Sequence, residues 1–176
     1  MKALNAAVYR VRQVLWAARA TWRPLDLSVL DEHLNQEQRV LFLQMSRPDQ
    51  RHSLAVFRQL RSAGRDDPEL LRAALLHDVG KTGAGVCLWH RVIIVLARAF
   101  CPSLLARLAQ EHPGSWQHPF YLYLQHAPLG AARARLVGVS PEIEMLIREH
   151  HNLASSVLKG ALAENLRALQ QADSAN

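Results

Sequence analysis

Leu70-Leu71-Arg72-Ala73-Ala74-Leu75-Leu76-His77-Asp78-Val79-Gly80-Lys81 reads as an apolar helix that ends by carrying charge into its own buried side. Asp66 or Asp67, followed by Pro68, is a helix start: the acid caps the first amides and proline fits the first turn. The helix is expected to run through Leu75 into residues 77–81. Leu71, Ala74 and Leu75 lie seven, four and three residues before Asp78, so helical spacing puts that carboxylate on the core-facing stripe. A carboxylate alone in an apolar interior pays a desolvation penalty of several kcal/mol, so it must be neutralised, paired or bound to a cation.

The same situation recurs twice. His150 follows Ile143, Leu146 and Ile147 at the same three spacings, and Asp173 lies on the stripe begun by Leu162, Leu166 and Leu169. A metal answers all three burials together. Imidazole nitrogens and carboxylate oxygens without thiolates suit iron, manganese or zinc, and such residues converging from separate helices make a bundle-core site.

The rest of the chain carries helical patterns too. Leu4, Val8, Val11, Leu15 and Ala18 mark an amphipathic helix over residues 3–20 with an arginine-bearing polar side. Further helices are expected over about 30–45, ended by Arg47 and Pro48, and over 49–63, stopped at Gly64. Beyond Lys81 the helical stretches are 86–100, 103–111, 120–125, 128–137, 141–151 and 155–173. The run 112–119 is turn chemistry and the best position for a substrate-side lid. No strand alternation and no internal repeat is visible, so the fold class is all-α.

At 176 residues, with 49% hydrophobic and 20% charged residues, the chain fits one domain with a sizeable core. The division expected is a basic amphipathic helix and linker over 1–28 and the helical domain over 29–176. Cys87 and Cys101 form no CxxC and stand near no histidine cluster, which argues against a disulfide framework or a thiolate zinc site and for a reducing cytoplasm. The first 25 residues lack the continuous apolar core of a secretory signal. The formal charge of +6 is arginine-dominated, and Lys2 with four arginines precedes the first acid, Asp26. That N-terminal stretch suits packing on the domain or on a second subunit first, an anionic membrane surface next and nucleic acid last, which makes a membrane-peripheral placement an alternative.

The ordered series His52, His77-Asp78-Val79-Gly80-Lys81, His126, His150-His151 and Asp173 resembles the HD superfamily of metal-dependent phosphohydrolases, whose name matches His77-Asp78. The likeness covers about residues 49–174. It implies an HD-domain helical bundle, here with the additional N-terminal helix, in which His52, His77, Asp78 and Asp173 hold one metal. His126 and His150 would hold a second that Asp78 bridges. Those residues are similar to the two-metal HDIG and HD-GYP-like branches, but His150-His151 is followed by Asn152-Leu153-Ala154 and not by a Gly-Tyr-Pro motif.

Two divalent ions are therefore expected, iron or manganese first, with zinc, magnesium or nickel as alternatives. A metal pair about 3.5–4 Å apart lowers the pKa of a bridging water that can attack phosphorus as hydroxide. Lys81 is expected to donate to a phosphate oxygen, with Gly80 allowing close backbone approach, and His151 to be a hydrogen-bond donor to a metal ligand, a phosphate contact or an extra ligand. The substrate class implied is a phosphorylated, nucleotide-like small molecule: a nucleotide, a cyclic nucleotide or a cyclic dinucleotide. A nucleotide-sensing or scaffold domain and a di-iron oxygenase are the alternatives. His33, His90, His112 and His118 stand outside the series and read as surface or loop histidines.

Overall fold

A computed structural model describes residues 24–83, 85, 87–152 and 158–176 of the chain. The helix expected over 3–20 and the proposed start of the last helix at Ser155 lie outside the described residues. Among the described residues there are nine α-helices, one short 3-10 turn and no strand. The all-α expectation holds among the described residues, and the helices pack as a bundle.

In chain order the helices are α1 (Ser28–His33), α2 (Gln36–Leu43), α3 (Arg47–Ser62) and α4 (Pro68–Leu76). The 3-10 turn Val79–Lys81 comes next, and then α5 (Leu88–Phe100), α6 (Pro102–Leu108), α7 (His118–Leu136), α8 (Pro141–Glu149) and α9 (Gly160–Ala175). The chain divides into two compact units, Met1–Pro24 with Gly83–Gln125 and Leu25–Thr82 with His126–Asn176.

In the larger unit α4 is central, touching α1, α2, α3, α8 and α9. Its sequence explains that position. Leu70, Leu71 and Ala73 to Leu76 are all buried, and a helix that is apolar all round is stable only when other helices surround it. Asp67 starts it by accepting from the amides of Glu69 and Leu70, both at 2.9 Å, with Pro68 in the first turn. Phe42, Leu54, Leu60, Ile143, Leu146, Ile147 and Leu169 close around it and complete the core.

Several boundaries differ from those the sequence suggests. The single helix expected over 30–45 is two, because Asn35 interrupts it with a capping box: its side chain accepts from the Gln38 amide at 2.8 Å, and Gln38 Oε1 accepts from the Asn35 amide at 3.3 Å. Arg47 and Pro48 do not end a helix but open α3, where Ser46 caps the Asp49 amide and proline needs no donor. Gly64 does act as the stop. At φ +71 it lets the Arg65 amide fold back onto the Leu60 carbonyl at 3.0 Å.

The stretch after Leu76 is not a continuation of α4. His77 caps the helix, His77 and Asp78 form a turn, and Val79–Lys81 tightens into the 3-10 turn. The two segments expected over 120–125 and 128–137 are one helix, α7, with Pro128 inside it. A proline removes one amide from the ladder, and the turns on either side carry the helix through. The helix expected from Ser103 to Glu111 is the shorter α6, and Lys159, still extended, makes Gly160 the first residue of α9.

The smaller unit has its own core, Ile94 and Ala97 of α5 with Leu105 of α6 and Phe120 of α7. His90 is the exception among the histidines expected at the surface or in loops. It is buried, its Nδ1 accepts from the Cys87 amide at 3.1 Å, and its Nε2 donates to the Trp116 carbonyl at 3.1 Å.

Candidate metal centre

Five elements of the larger unit bring eight polar side chains to one place. His52 comes from the middle of α3, and His77, Asp78 and Lys81 from the turn after α4. His126 comes from α7, His150 and His151 from the end of α8, and Asp173 from the last turn of α9. Every residue the sequence singled out is in this cluster.

Asp78 is its hub. One carboxylate oxygen, Oδ2, accepts from Lys81 Nζ at 2.6 Å and lies 3.7 Å from His77 Nε2 and 4.0 Å from His52 Nε2. The other, Oδ1, lies 3.4 Å from His126 Nε2. Asp173 Oδ1 is 2.8 Å from His52 Nε2 and 3.6 Å from His77 Nε2. The imidazoles continue the cluster: His77 and His150 rings are 5.1 Å apart, His150 and His151 rings 4.1 Å, and His151 Nε2 lies 2.9 Å from His126 Nε2.

The backbone sets which nitrogen each buried ring presents. His77 Nδ1 donates to the Ala74 carbonyl at 2.9 Å and His150 Nδ1 to the Ile147 carbonyl at 2.6 Å, each three residues back at the end of its helix. A carbonyl can only accept, so the proton is on Nδ1 and the lone pair on Nε2 points inward. Both Nε2 atoms are buried without a hydrogen-bond partner, and so is Asp78 Oδ1. Buried polar atoms are nearly always satisfied, and three electron-pair donors orphaned in one cluster call for a cation.

The residues therefore fit metal ions. Two groups of three could each hold one: His52 with His77 and Asp78, and His126 with His150 and His151. Asp173, beside His52 and His77, adds a second carboxylate to the first group.

The charges agree with this division. Burial works against the Asp78 carboxylate, yet Lys81, His77, His126 and His52 outweigh it and hold its pKa well below the usual range. Asp173 is likewise pulled down against its burial by His52 and His77. Burial disfavours charge on His77 as well, but the two carboxylates beside it leave its pKa raised. His150 goes the other way: burial and its histidine neighbours push its pKa well below the ordinary value, and burial lowers that of His151.

Gly80 is where the turn meets α7. A Cβ built there would stand 1.9 Å from the His126 carbonyl oxygen and 2.7 Å from the Gly130 amide nitrogen, both backbone atoms. The close backbone approach expected at Gly80 is made to the backbone of α7. This close approach brings His126 to Asp78, and the small residues Ala127, Gly130, Ala131 and Ala134 along α7 permit it.

Arg133 was not foreseen from the sequence. One turn-pair beyond His126 on α7, its guanidinium donates to the Val79 and Thr82 carbonyls, both at 3.0 Å, and so ties down the turn that carries Asp78 and Lys81. The only signal available was a cation seven residues after a candidate ligand, on a face otherwise made of Ala and Gly.

The family model for the HD domain matches residues 50–125. That stretch contains His52, His77 and Asp78 and ends one residue before His126. No curated protein matches the chain, and no solved structure does.

Proposed function

We propose that this protein is a metal-dependent phosphohydrolase that cleaves a phosphoester of a nucleotide-like small molecule. The observation that carries the reading is the set of inward-facing donors in an apolar core, His77 Nε2, His150 Nε2 and Asp78 Oδ1, which have no hydrogen-bond partner. The HD match adds the reaction class, since domains of that family typically act on phosphorylated substrates.

In this reading His52, His77, Asp78 and Asp173 hold one divalent ion and His126 and His150 another, with His151 available to the second and Asp78 serving both. Bound there, such ions supply positive charge to the phosphoryl oxygens and acidify a water. The remaining work falls to the protein. His77, Asp78, His126 and His150 are buried and make a rigid floor, while His52, Lys81, Asp173 and His151 are partly exposed and form the rim a substrate meets first.

Lys81 sits at that rim with its ammonium on Asp78 Oδ2. An arriving phosphate competes with Asp78 for that ammonium, so Lys81 is placed to draw an anionic substrate to the floor. His151, about half exposed at its side chain and with its pKa lowered by burial, is placed to give or take a proton at the rim.

The test is metal analysis of protein purified without chelator, followed by a phosphatase and phosphodiesterase screen with added manganese. We expect bound divalent metal and hydrolysis of at least one nucleotide-class phosphoester, with chelation removing both. Full metal occupancy with no phosphoester cleaved by any preparation overturns the reading.

A further inference from the structure

Helix α5 of the smaller unit has two apolar sides, and the unit's core uses one of them. His90, Ile94 and Ala97 face inward, Ile94 and Ala97 against Leu105 and Phe120. Trp89, Ile93, Leu96 and Phe100 recur at spacings of four, three and four along another side, the signature of a second stripe. On that stripe Trp89, Leu96 and Phe100 are 40–53% exposed, with Ile93 half-buried between them. Trp116, 56% exposed, extends the surface, its ring 6.4 Å from that of Trp89.

Charge says what such a surface suits. Across Gly83–Gln125 the charged residues are Arg91, Arg98 and Arg107 against a single acid, Glu111. The larger unit holds 13 basic and 14 acidic residues and so carries no net positive charge.

We propose that the smaller unit docks on an anionic lipid surface, seating Trp89, Leu96, Phe100 and Trp116 at the headgroup boundary while its arginines meet the lipid phosphates. Tryptophan, phenylalanine and leucine beside arginine, with almost no acid, is the composition of a segment that lies in the interface. A second copy is a poorer occupant, because two surfaces with the same positive excess repel. Nucleic acid would attract the arginines but leave Leu96 and Phe100 in water. Among the described residues no helix is long and apolar enough to cross a bilayer, so the contact is peripheral.

The experiment is co-sedimentation of the full-length protein with vesicles of mixed phosphatidylglycerol and phosphatidylcholine, against vesicles of phosphatidylcholine alone. The double variant Leu96→Ser, Phe100→Ser and the charge reversal Arg107→Glu are carried beside it. All three positions are exposed, and a thermal melt checks that each variant folds. We expect binding to the anionic vesicles only, weakened by salt, with the double variant at least about tenfold weaker and Arg107→Glu reduced to a lesser degree. Three results overturn the proposal: no sedimentation with anionic vesicles, equal binding to neutral ones, or unchanged binding by the folded double variant. A concentration-dependent dimer or an RNA complex lost in the double variant, without lipid binding, gives the stripe to that occupant instead.

Discussion

His52, His77 and Asp78 form one triad and His126, His150 and His151 the other, and they differ in the charge they bring to a cation. The first contains the Asp78 carboxylate and has Asp173 2.8 Å from His52. The second contains only imidazoles, and its nearest carboxylate oxygen is Asp78 Oδ1, 3.4 Å from His126. An isolated divalent charge in an apolar interior is costly, so the first triad can neutralise an ion by its own means and the second cannot. Loading is therefore expected to be ordered, the carboxylate-rich triad filling first and the all-histidine triad depending on Asp78.

The strongest way to break this comparison is Asp78→Ala. If the two triads share one carboxylate, its removal empties both, so metal content falls from about two ions per chain to none and turnover drops by at least about 100-fold, beyond what losing an outer-shell partner costs. Retention of one full ion would show the triads to be independent. Asp78→Asn separates charge from shape, since the amide fills the same space and can still meet Lys81.

Gly80→Ala strains the joint between the triads. The added methyl would collide with the backbone of His126 and Gly130, and no side chain there can move aside. We expect a loss of about 1–3 kcal/mol in stability, seen as a lower melting temperature, and selective loss of the second ion as α7 withdraws His126. Loss of both ions in a fully folded variant would mean the turn, and not α7, had moved.

The separate contributions of sequence and distance show in these residues. Helical spacing alone put Asp78 and His150 on buried faces, and both are buried. Spacing could not show that the helix stops at Leu76, because the apolar run continues to Val79 and only the turn hydrogen bonds mark the change. The break at Asn35 was hidden in the same way, since Leu34 and Leu41 keep the apolar pattern running across a capping box. Gly80 signals a close backbone approach but not to what, because its neighbour, the His126 carbonyl, is 46 residues away in sequence and local pattern carries no record of it.

Arg133→Met sharpens the comparison with a smaller effect. It keeps the aliphatic stem but removes the two donors that hold the Val79 and Thr82 carbonyls. The turn carrying Asp78 and Lys81 loosens, and because Asp78 serves both triads, affinity for both ions falls together. The expected loss is about tenfold, on the scale of outer-shell partners, with Arg133→Lys restoring part of it. Isothermal titration with manganese separates this from Gly80→Ala, which should weaken one ion more than the other.

The smallest effect concerns protons in place of metal. In the metal-free protein His150 has its pKa pushed well below the ordinary histidine value by burial and by its histidine neighbours, and burial lowers that of His151. Above about pH 6.5 folded and unfolded chains both leave these rings neutral and nothing is lost. Below that value the unfolded chain binds protons that the folded chain refuses, so stability declines as pH falls, by at most about 1.4 kcal/mol per pH unit for each ring. His77, raised by its carboxylates, takes up its proton earlier when folded and opposes the decline. His150→Gln removes one proton-refusing ring and leaves His77 in place, so its melting temperature should fall less than that of the wild type between pH 7 and pH 5.5. A steeper fall in the variant would mean that His150 is already protonated in the folded metal-free protein, and that the all-histidine triad does not keep itself ready for a cation.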